Sequence, residues 1–419
     1  MTYTVLHGRF VIRYPDRPRQ GPEPDGDTVK FLPDTPALVE RLPRRSGRPP
    51  GINGHGISVR LEAIDALETH FGETHQELAG ANAARDELLR LLGFTNIVFF
   101  PDLPNNVQSA DQDSLRGHVL SNGIDGNGRL IAFVYPGEHP GPDGASVFAD
   151  NALIDQSVNA ALLTTGHVYP AFYATLPAAL RNHLAGISRA ARAARDAAGL
   201  WPRATADPNG AATIANLADL QQLVVWPKLF RRIVPYLAAG FTSFDGFDAW
   251  LRTDTVNRDD ALFLLDRHES GNLHDVIHAE EHRVQLTVWP EDFIIGPDPT
   301  PPGAPTDPHT VAAGDVLIVA ALPDPVGADR GHELVTLLNT TASPIDLAGW
   351  GLLDSAGGRH DLTGTLVGGA VIQVAARGAV QLGNRGDALL LVDRAGVSID
   401  QVTYKADKVR TGRTICFGR

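Results

Sequence analysis

The alternation of apolar and polar positions predicts an α+β domain with a strand-rich front in the first 203 residues. Strand-like apolar runs occur at 3–14, 27–32, 57–65, 96–100 and 129–135. Stretches with the spacing of amphipathic helices occur at 73–92, 152–166 and 175–198. The first helix interrupts the strand series, and the last strand follows it.

Residues 315–419 have a different pattern. Short apolar runs at 316–320, 333–339, 350–354, 371–374, 388–392 and 398–404 are separated by Gly, Asp, Asn and Pro turns. This spacing is typical of a β-sandwich. The pattern predicts an all-β immunoglobulin-like fold.

The pattern between these two regions predicts a mainly helical segment at 204–295. Helical spacing covers 217–237 and recurs around 247–282. A linker at 296–314 follows, because six prolines fall within those nineteen residues. The protein is therefore predicted to be multidomain, with domains at 1–203 and 315–419.

Charge is distributed unevenly along the chain. The net charge of −13 argues against a general nucleic-acid coating protein, which would present a broad basic face. Residues 204–314 hold 7 basic and 16 acidic side chains, whereas 1–203 hold 19 and 22. The acidic middle segment could be a spacer, an inhibitor of a basic groove or a docking surface.

Two features of the sequence bear on the cellular compartment of the protein. The single cysteine, Cys416, allows no intramolecular disulfide. No apolar run approaches the roughly 20 residues that span a bilayer, and the first residues lack the pattern of a signal peptide. We therefore expect no membrane partner and a cytoplasmic location, with export by another route left open.

Three motifs carry carboxylates and arginines at predicted strand ends. They are Asp25-Gly26-Asp27-Thr28, the stretch from Arg60 through Asp65 to Glu68, and the stretch from Asp125 to Arg129. Strand alternation alone would place Arg60 and Asp65 on opposite faces. A local turn after the strand must therefore bring Asp65 and Glu68 to a common site.

In this order, the three motifs resemble the signature of the staphylococcal nuclease (thermonuclease) family. The resemblance covers about 3–203 and includes the stretches 158–166 and 199–201. It implies an OB-fold barrel and a calcium-dependent nuclease that cleaves DNA or RNA internally and leaves 3′-phosphate ends.

The resemblance also implies roles for individual residues. Asp27, Asp65 and the backbone carbonyl of Ala66 would hold Ca²⁺; family members usually have Thr where Ala66 stands, but the carbonyl is the contacting group. Glu68 would lie beside the attacking water. Arg60 and Arg129 would bind the phosphate.

These residue types suit the chemistry. Ca²⁺ takes hard oxygen ligands in a flexible shell and can hold a phosphate oxygen and a water together. An arginine stays charged and can bond two phosphate oxygens at once, which a lysine does less well.

The sequence departs from compact family members by two insertions, at 33–56 and from 102 to about 115. The first carries Arg41, Arg44, Arg45 and Arg48, which could hold a nucleic-acid backbone or belong to a solvated loop. Tyr169 and Tyr173 loosely match the substrate-stacking tyrosines of the family.

Two other signals compete with the nuclease. His274, His278 and His282 include the H-x-x-E-H pattern of some zinc peptidases, and would share one face of a helix; a polar exposed helix face is the alternative. A non-catalytic scaffold that binds nucleic acid through the barrel is the alternative for the whole chain.

The C-terminal segment resembles a lamin tail domain. The resemblance rests on the runs 333–339, 346–354, 382–387 and 399–402, of which the Asp-Leu-x-Gly-Trp turn ending at Trp350 is distinctive. It implies a binding or tethering module with a protein partner, and Trp350 is expected in the core.

Overall fold

The computed structural model describes residues 2–44, 49–253, 258–296, 311, 313–341, 344–377, 379–394 and 396–418. Two compact units are present. The first comprises Thr2–Phe172 and Leu184–Pro305, and the second comprises Tyr173–His183 and Thr306–Arg419.

The strands up to residue 295 are β1 Thr2–Val11, β2 Thr28–Pro33, β3 Ile57–Leu61, β4 Ile64–Asp65, β5 Val98–Phe100, β6 Leu103–Ser109, β7 Ser114–Ile124, β8 Leu130–Pro136, β9 Ser146–Phe148, β10 Tyr169–Pro170, β11 Ala212–Thr213, β12 Ala261–Leu264, β13 Glu269–Asn272, β14 Ile277–Glu280, β15 Arg283–Leu286 and β16 Phe293–Ile295. The helices are α1 Pro36–Glu40, α2 Leu78–Leu91, α3 Asn151–Ile154, α4 Val158–Thr164, α5 Ala178–Ala194, α6 Leu217–Leu220, α7 Pro227–Ala238 and α8 Phe247–Arg252. Single 3₁₀ turns occupy Pro18–Gln20, Leu273–Val276, Pro290–Asp292 and Ala406–Lys408.

A closed five-stranded barrel forms the front of the first unit. The strand order is β2-β3-β8-β7-β1, and pairing of β1 with β2 closes the ring. β3 and β8 run parallel and the other pairs are antiparallel. Along β2, Val29, Phe31 and Pro33 point inward, so the alternation read from the sequence is the alternation of burial. This architecture is compatible with the OB fold.

Both insertions contain regular structure. The second forms a hairpin in which β6 pairs with β5. The first contains α1, and a tight turn at 53–56 returns the chain to β3. Arg45 and Arg48 lie outside the described residues, as does most of the predicted linker.

The middle residues are not mainly helical as predicted. Within their described part, α6, α7 and α8 are followed by a series of short strands, β12–β16. After α8, Asn272 and Asp275 form a capping box at the start of a single 3₁₀ turn. β14 then pairs with β15. His274, His278 and His282 therefore share no helix face, and the helix that both interpretations of this pattern assumed is not formed.

The middle residues belong to the same compact unit as the barrel. The separate domain at residues 1–203 stays a prediction. No helix in the described part of the chain is long and apolar enough to cross a bilayer.

The second unit is an all-β sandwich. Its strands are β17 Val316–Leu322, β18 Leu334–Asn339, β19 Ile345–Asp346, β20 Gly351–Leu353, β21 Arg359–Asp361, β22 Thr365–Leu366, β23 Val371–Ala375, β24 Gly386–Val392, β25 Ser398–Lys405 and β26 Ile415–Cys416. The sheets β23-β18-β17-β26 and β21-β20-β24-β25 bury a common core. Trp350 is 1% exposed in that core, which confirms its predicted role.

Candidate functional site

A turn directly after β3 reverses the face of the chain and brings Asp65 toward Arg60. Ala63 adopts a left-handed φ of 71°, which is unusual for a residue with a Cβ. Hydrogen bonds fix the turn on both sides, from the Glu62 N–H to the Ala132 carbonyl (2.8 Å) and from the Ala171 N–H to the Ala63 carbonyl (3.0 Å). Arg60 Nη2 consequently lies 3.3 Å from Asp65 Oδ1.

The turn before β2 places Asp27 against the same region. The Asp27 N–H donates to Asp25 Oδ1 at 3.2 Å, and Asp27 Oδ2 accepts from the Ala66 N–H at 3.4 Å. Arg60 Nη1 lies 3.9 Å from Asp27 Oδ2. The structure therefore brings together Asp27, Arg60, Asp65 and Ala66, as the sequence predicts.

The loop that carries Glu68 is fixed by a buried glutamine. Gln76 Oε1 accepts from the Glu68 N–H at 3.1 Å, and Gln76 Nε2 donates to the Val225 carbonyl at 3.0 Å. The Glu68 backbone is thereby tied through one side chain to the middle segment.

Helix α7 contributes a site residue that sequence reasoning missed, Arg231. Its Nη1 donates to Glu68 Oε1, and its Nη2 donates to Asp65 Oδ2 at 2.7 Å. The side chain is 18% exposed. The one sequence signal is compositional: Lys228, Arg231 and Arg232 place three of the seven basic residues of 204–314 within five positions.

Arg129 directly precedes β8, the strand next to β3. β8 pairs Ile131 with Arg60, so Arg129, two positions earlier, is expected on the same side of the sheet as Arg60. In the described structure, the ion pair of Arg129 is with Asp125, from Nε to Oδ2 at 2.7 Å, rather than with the carboxylates around Arg60. Asp125 is 1% exposed and also accepts from the Arg129 N–H, so the arginine is held by the turn that begins its strand.

The described part of the first insertion runs beside that turn. The Gly51 N–H donates to the Gly128 carbonyl at 2.8 Å, and Arg44 forms a bridge with Ile124. Arg41 and Arg44 are both exposed. The insertion thus adds positive charge next to Arg129.

The two tyrosines matched to the stacking role differ in burial. Tyr169 is 2% exposed, its ring packs edge-on against Trp201 at 5.0 Å, and it faces Asp65 across the β10–β4 pair. A ring buried in this way offers no face to a base, so the prediction for Tyr169 is wrong. Tyr173 is half-buried and falls in the second compact unit.

Burial and mutual charge dominate the electrostatics of the acidic groups. Burial, with the charges of Asp27 and Glu68, raises the pKa of Asp25 well above its usual value. Burial also raises the pKa of Glu68, although Arg231 opposes the shift. For Asp65, burial acts to raise the pKa, but the charges of Arg231 and Arg60 outweigh it and hold that pKa below its usual value.

The donor set suits a hard divalent cation. The carboxylates of Asp27, Asp65 and Glu68 lie beside the guanidinium groups of Arg60 and Arg231, and the charges of Asp27 and Glu68 act on the neighbouring Asp25. Carboxylate oxygens are the ligands that Ca²⁺ prefers. As the side chains stand, however, both Asp65 oxygens accept from arginines. Within the described residues, no group of three or more His, Cys, Asp or Glu side chains is arranged to hold a metal ion.

Comparison with known proteins identifies one part of the chain. The fold defines a protein with an N-terminal closed barrel and a C-terminal all-β sandwich. The family model described as Lamin Tail Domain matches residues 309–406, so the sandwich is a lamin tail domain, as the sequence predicts. No thermonuclease family model matches the barrel, and the search of curated proteins gave no match.

Proposed function

We propose that this protein is a calcium-dependent nuclease that hydrolyses internal phosphodiester bonds of DNA or RNA and leaves 3′-phosphate ends. The observation that carries the proposal is the convergence of Asp27, Arg60, Asp65 and Glu68 at one place on the barrel. These residues come from two separate turns and a strand, and the core of the barrel does not need a set of buried charges.

Each residue of the site has a role in this proposal. Asp27, Asp65 and the carbonyl of Ala66 would hold Ca²⁺, which when bound would offset the phosphate charge and favour ionisation of a water. Glu68 would orient that water and accept its proton. Arg60 and Arg129 would bond the phosphate oxygens as negative charge increases.

The basic residues beside the site support a nucleic-acid substrate. Arg41 and Arg44 are exposed on the insertion that contacts the turn of Arg129. Each phosphate contact made by such an arginine would make affinity fall with salt. The lamin tail domain would bind a protein partner and place the nuclease at its target.

A second candidate function is a non-catalytic scaffold that binds nucleic acid through the barrel and a protein through the lamin tail domain. The observation in its favour is that guanidinium groups already bond both oxygens of Asp65. In a scaffold, the carboxylates would keep these arginine partners and would hold no metal ion.

The experiment is cleavage of plasmid DNA and of a single-stranded RNA by the full chain, with Ca²⁺, with Mg²⁺ and with chelator. We expect cutting that requires Ca²⁺ and that Glu68→Gln and the double variant Arg60→Ala/Arg129→Ala both lose. Glu280→Gln is the control, because Glu280 is an exposed carboxylate on β14 of the same unit. Binding without cutting under all three conditions would favour the scaffold.

A further inference from the structure

Helix α7 places the Arg231 guanidinium across two carboxylates of the proposed nuclease site. It bonds Asp65, a proposed calcium ligand, and Glu68, the proposed base, through different nitrogens. We infer that Arg231 is a positioning residue of this site, which holds Glu68 beside Asp65 and makes the middle segment a component of the catalytic unit. The inference rests on the proposed nuclease function.

The position of Arg231 is built into the fold. On the same helix, Lys228 Nζ and Arg232 Nη2 bond the two oxygens of Asp260 at 2.7 and 2.6 Å. The Lys228 and Asp260 side chains are 6% and 10% exposed. Desolvated charges of this kind are costly unless their geometry is well satisfied, so the network fixes the orientation of α7. Arg231 is therefore held on a rigid element.

The same segment also supports the loop that carries Glu68. Gln221 Nε2 donates to Thr74 Oγ1 at 2.7 Å, and the rings of Phe71 and Phe230 meet edge-on at 6.2 Å. Together with the bond from Gln76 to Val225, these contacts hold the backbone, while Arg231 holds the side chain. The middle segment thus restrains both parts of Glu68.

The geometry of the guanidinium explains why an arginine is suited to this role. Its planar fork can bridge oxygens of two residues at a fixed separation, whereas an ammonium group is a point charge on a flexible stem. Because Arg231 bonds Oε1 of Glu68, the proposal assigns to Oε2 the role of facing a water and accepting its proton. A displaced catalytic group costs rate even when every residue of the chemistry is present.

A different role for the same contact would be a latch. In that case Arg231 would compete with Ca²⁺ for Asp65, and its removal would raise turnover. The two roles predict opposite changes in kcat, so one variant separates them.

The test compares Arg231→Gln, Arg231→Lys and Arg252→Gln with the wild-type full chain. Arg252 is the control, because it is an arginine of the same middle segment whose exposed side chain pairs with Asp248 on α8 and takes no part in the contacts that hold α7 or the site. Measured quantities are kcat and KM for a defined oligonucleotide at saturating Ca²⁺, Ca²⁺ affinity by calorimetry, and folding by circular dichroism.

We expect Arg231→Gln to lower kcat by roughly 10- to 100-fold with KM changed by less than about threefold. Its Ca²⁺ affinity should rise, because a positive charge beside Asp65 is removed. Arg231→Lys should keep the wild-type Ca²⁺ affinity yet remain slow, since the charge is retained and the bridge is lost. Arg252→Gln should keep kcat within about threefold.

An Arg231→Gln enzyme with wild-type or higher kcat would overturn the positioning role. Equal losses in the Arg231→Gln and Arg252→Gln proteins would overturn it as well, since a general disturbance of the middle segment would then explain both. A wild-type protein without turnover under any condition is a different failure: it would overturn the proposed function first. Unchanged Ca²⁺ affinity in Arg231→Gln would then show that the guanidinium does not act on the carboxylates.

Discussion

At the scale of single residues, Gly26 determines whether Asp27 can reach the site. A Cβ at this position would lie 2.5 Å from the Cβ of Ala66 and 2.7 Å from that of Ala84. Both neighbours are buried, one beside Asp65 and one in α2, and neither is the end of a flexible side chain. The absence of a side chain therefore allows the Asp25–Asp27 turn to pack against the turn that carries Asp65.

We expect Gly26→Ala to destabilise the barrel by about 1–3 kcal/mol through overpacking and to weaken Ca²⁺ binding by moving Asp27. Urea denaturation and calorimetry measure the two effects. Gly54→Ala is the control, because a Cβ there meets nothing within 4 Å. Wild-type Ca²⁺ affinity in Gly26→Ala would show that the turn does not position Asp27.

Glu333 makes the stability of the lamin tail domain depend on pH. Its side chain is 1% exposed, and burial, with smaller contributions from nearby carboxylates, raises its pKa to about 7. The folded domain therefore keeps a proton that the unfolded chain loses near its ordinary value. Stability associated with this group is complete below that ordinary value and decreases as the pH rises toward 7.

We expect Glu333→Gln to raise the Tm of the domain by roughly 5 °C at pH 8 and to leave it unchanged at pH 4. The amide keeps an oxygen that can accept from the Leu382 N–H, as Glu333 Oε1 does at 3.0 Å, and it does not ionise. Thermal melts at both pH values measure the difference. Asp407→Asn, at an exposed carboxylate, should behave as wild type. A lower Tm for Glu333→Gln at pH 8 would contradict the argument.

Residue identities in the site were largely predictable, because short motifs with fixed spacing contain Asp27, Arg60, Asp65 and Glu68. The contacts that surround these residues were less predictable. Arg231 bonds Glu68 from 163 positions away, and no local pattern encodes such a contact. Tyr169 was matched to a substrate-stacking tyrosine through the family resemblance, but its burial depends on packing against Trp201, which only the tertiary structure shows.

At the scale of elements, α7 connects the stability of the middle segment to the site. Asp260 neutralises Lys228 and Arg232 from outside the helix. Burial acts to raise the pKa of Asp260, but these two cations outweigh it and lower that pKa. Removal of the carboxylate charge would leave two cations in a poorly solvated place.

We expect Asp260→Asn to destabilise the first unit by about 3–5 kcal/mol and to lower kcat by shifting the helix that carries Arg231. Urea denaturation and a cleavage assay below the unfolding midpoint measure both effects. The control, Asp248→Asn, removes an i,i+4 pair on α8 that is 54% exposed at the aspartate, and should cost less than about 1 kcal/mol. Comparable losses in the two variants would contradict the argument.

The elements predicted best from the sequence are those in which the pattern of apolar residues matches the pattern of buried residues. β2, β8, β18 and β25 begin and end within one residue of their predicted runs. The helix predicted after α8 is not formed. Its residues have a helical period, but the chain pairs them across a hairpin, with Ile277 opposite Leu286. Hydrogen bonding between β14 and β15 outweighs weak helix propensity there.

At the scale of the whole molecule, the two ends were predictable from sequence and the role of the middle was not. Composition marks residues 204–314 as acidic, which left a spacer, an inhibitor and a docking surface equally open. Contacts place the middle residues in one compact unit with the barrel instead. Net charge cannot reveal this, because the relevant charge is that of Arg231 on α7, which bonds Asp65 and Glu68.

The extent of the catalytic unit can be tested by truncation. A fragment of residues 1–203 loses Arg231, the Val225 carbonyl that accepts from Gln76, and the Val224 carbonyl that accepts from the Tyr169 hydroxyl at 3.4 Å. It also loses Glu291, the 0% exposed partner of Arg192. Because these groups are buried, their loss leaves polar atoms unsatisfied and apolar surface exposed.

We expect residues 1–203 to melt at least about 10 °C below residues 1–295 and to lack turnover, while 1–295 keeps the Ca²⁺ affinity and kcat of the full chain. Thermal melts, calorimetry and cleavage of one oligonucleotide compare the three proteins. If 1–203 is instead as stable and active as 1–295, the barrel is a self-sufficient nuclease, and the contacts of α7 with Asp65 and Glu68 have no part in catalysis. If 1–295 is inactive while the full chain cuts, the nuclease requires residues of the second unit.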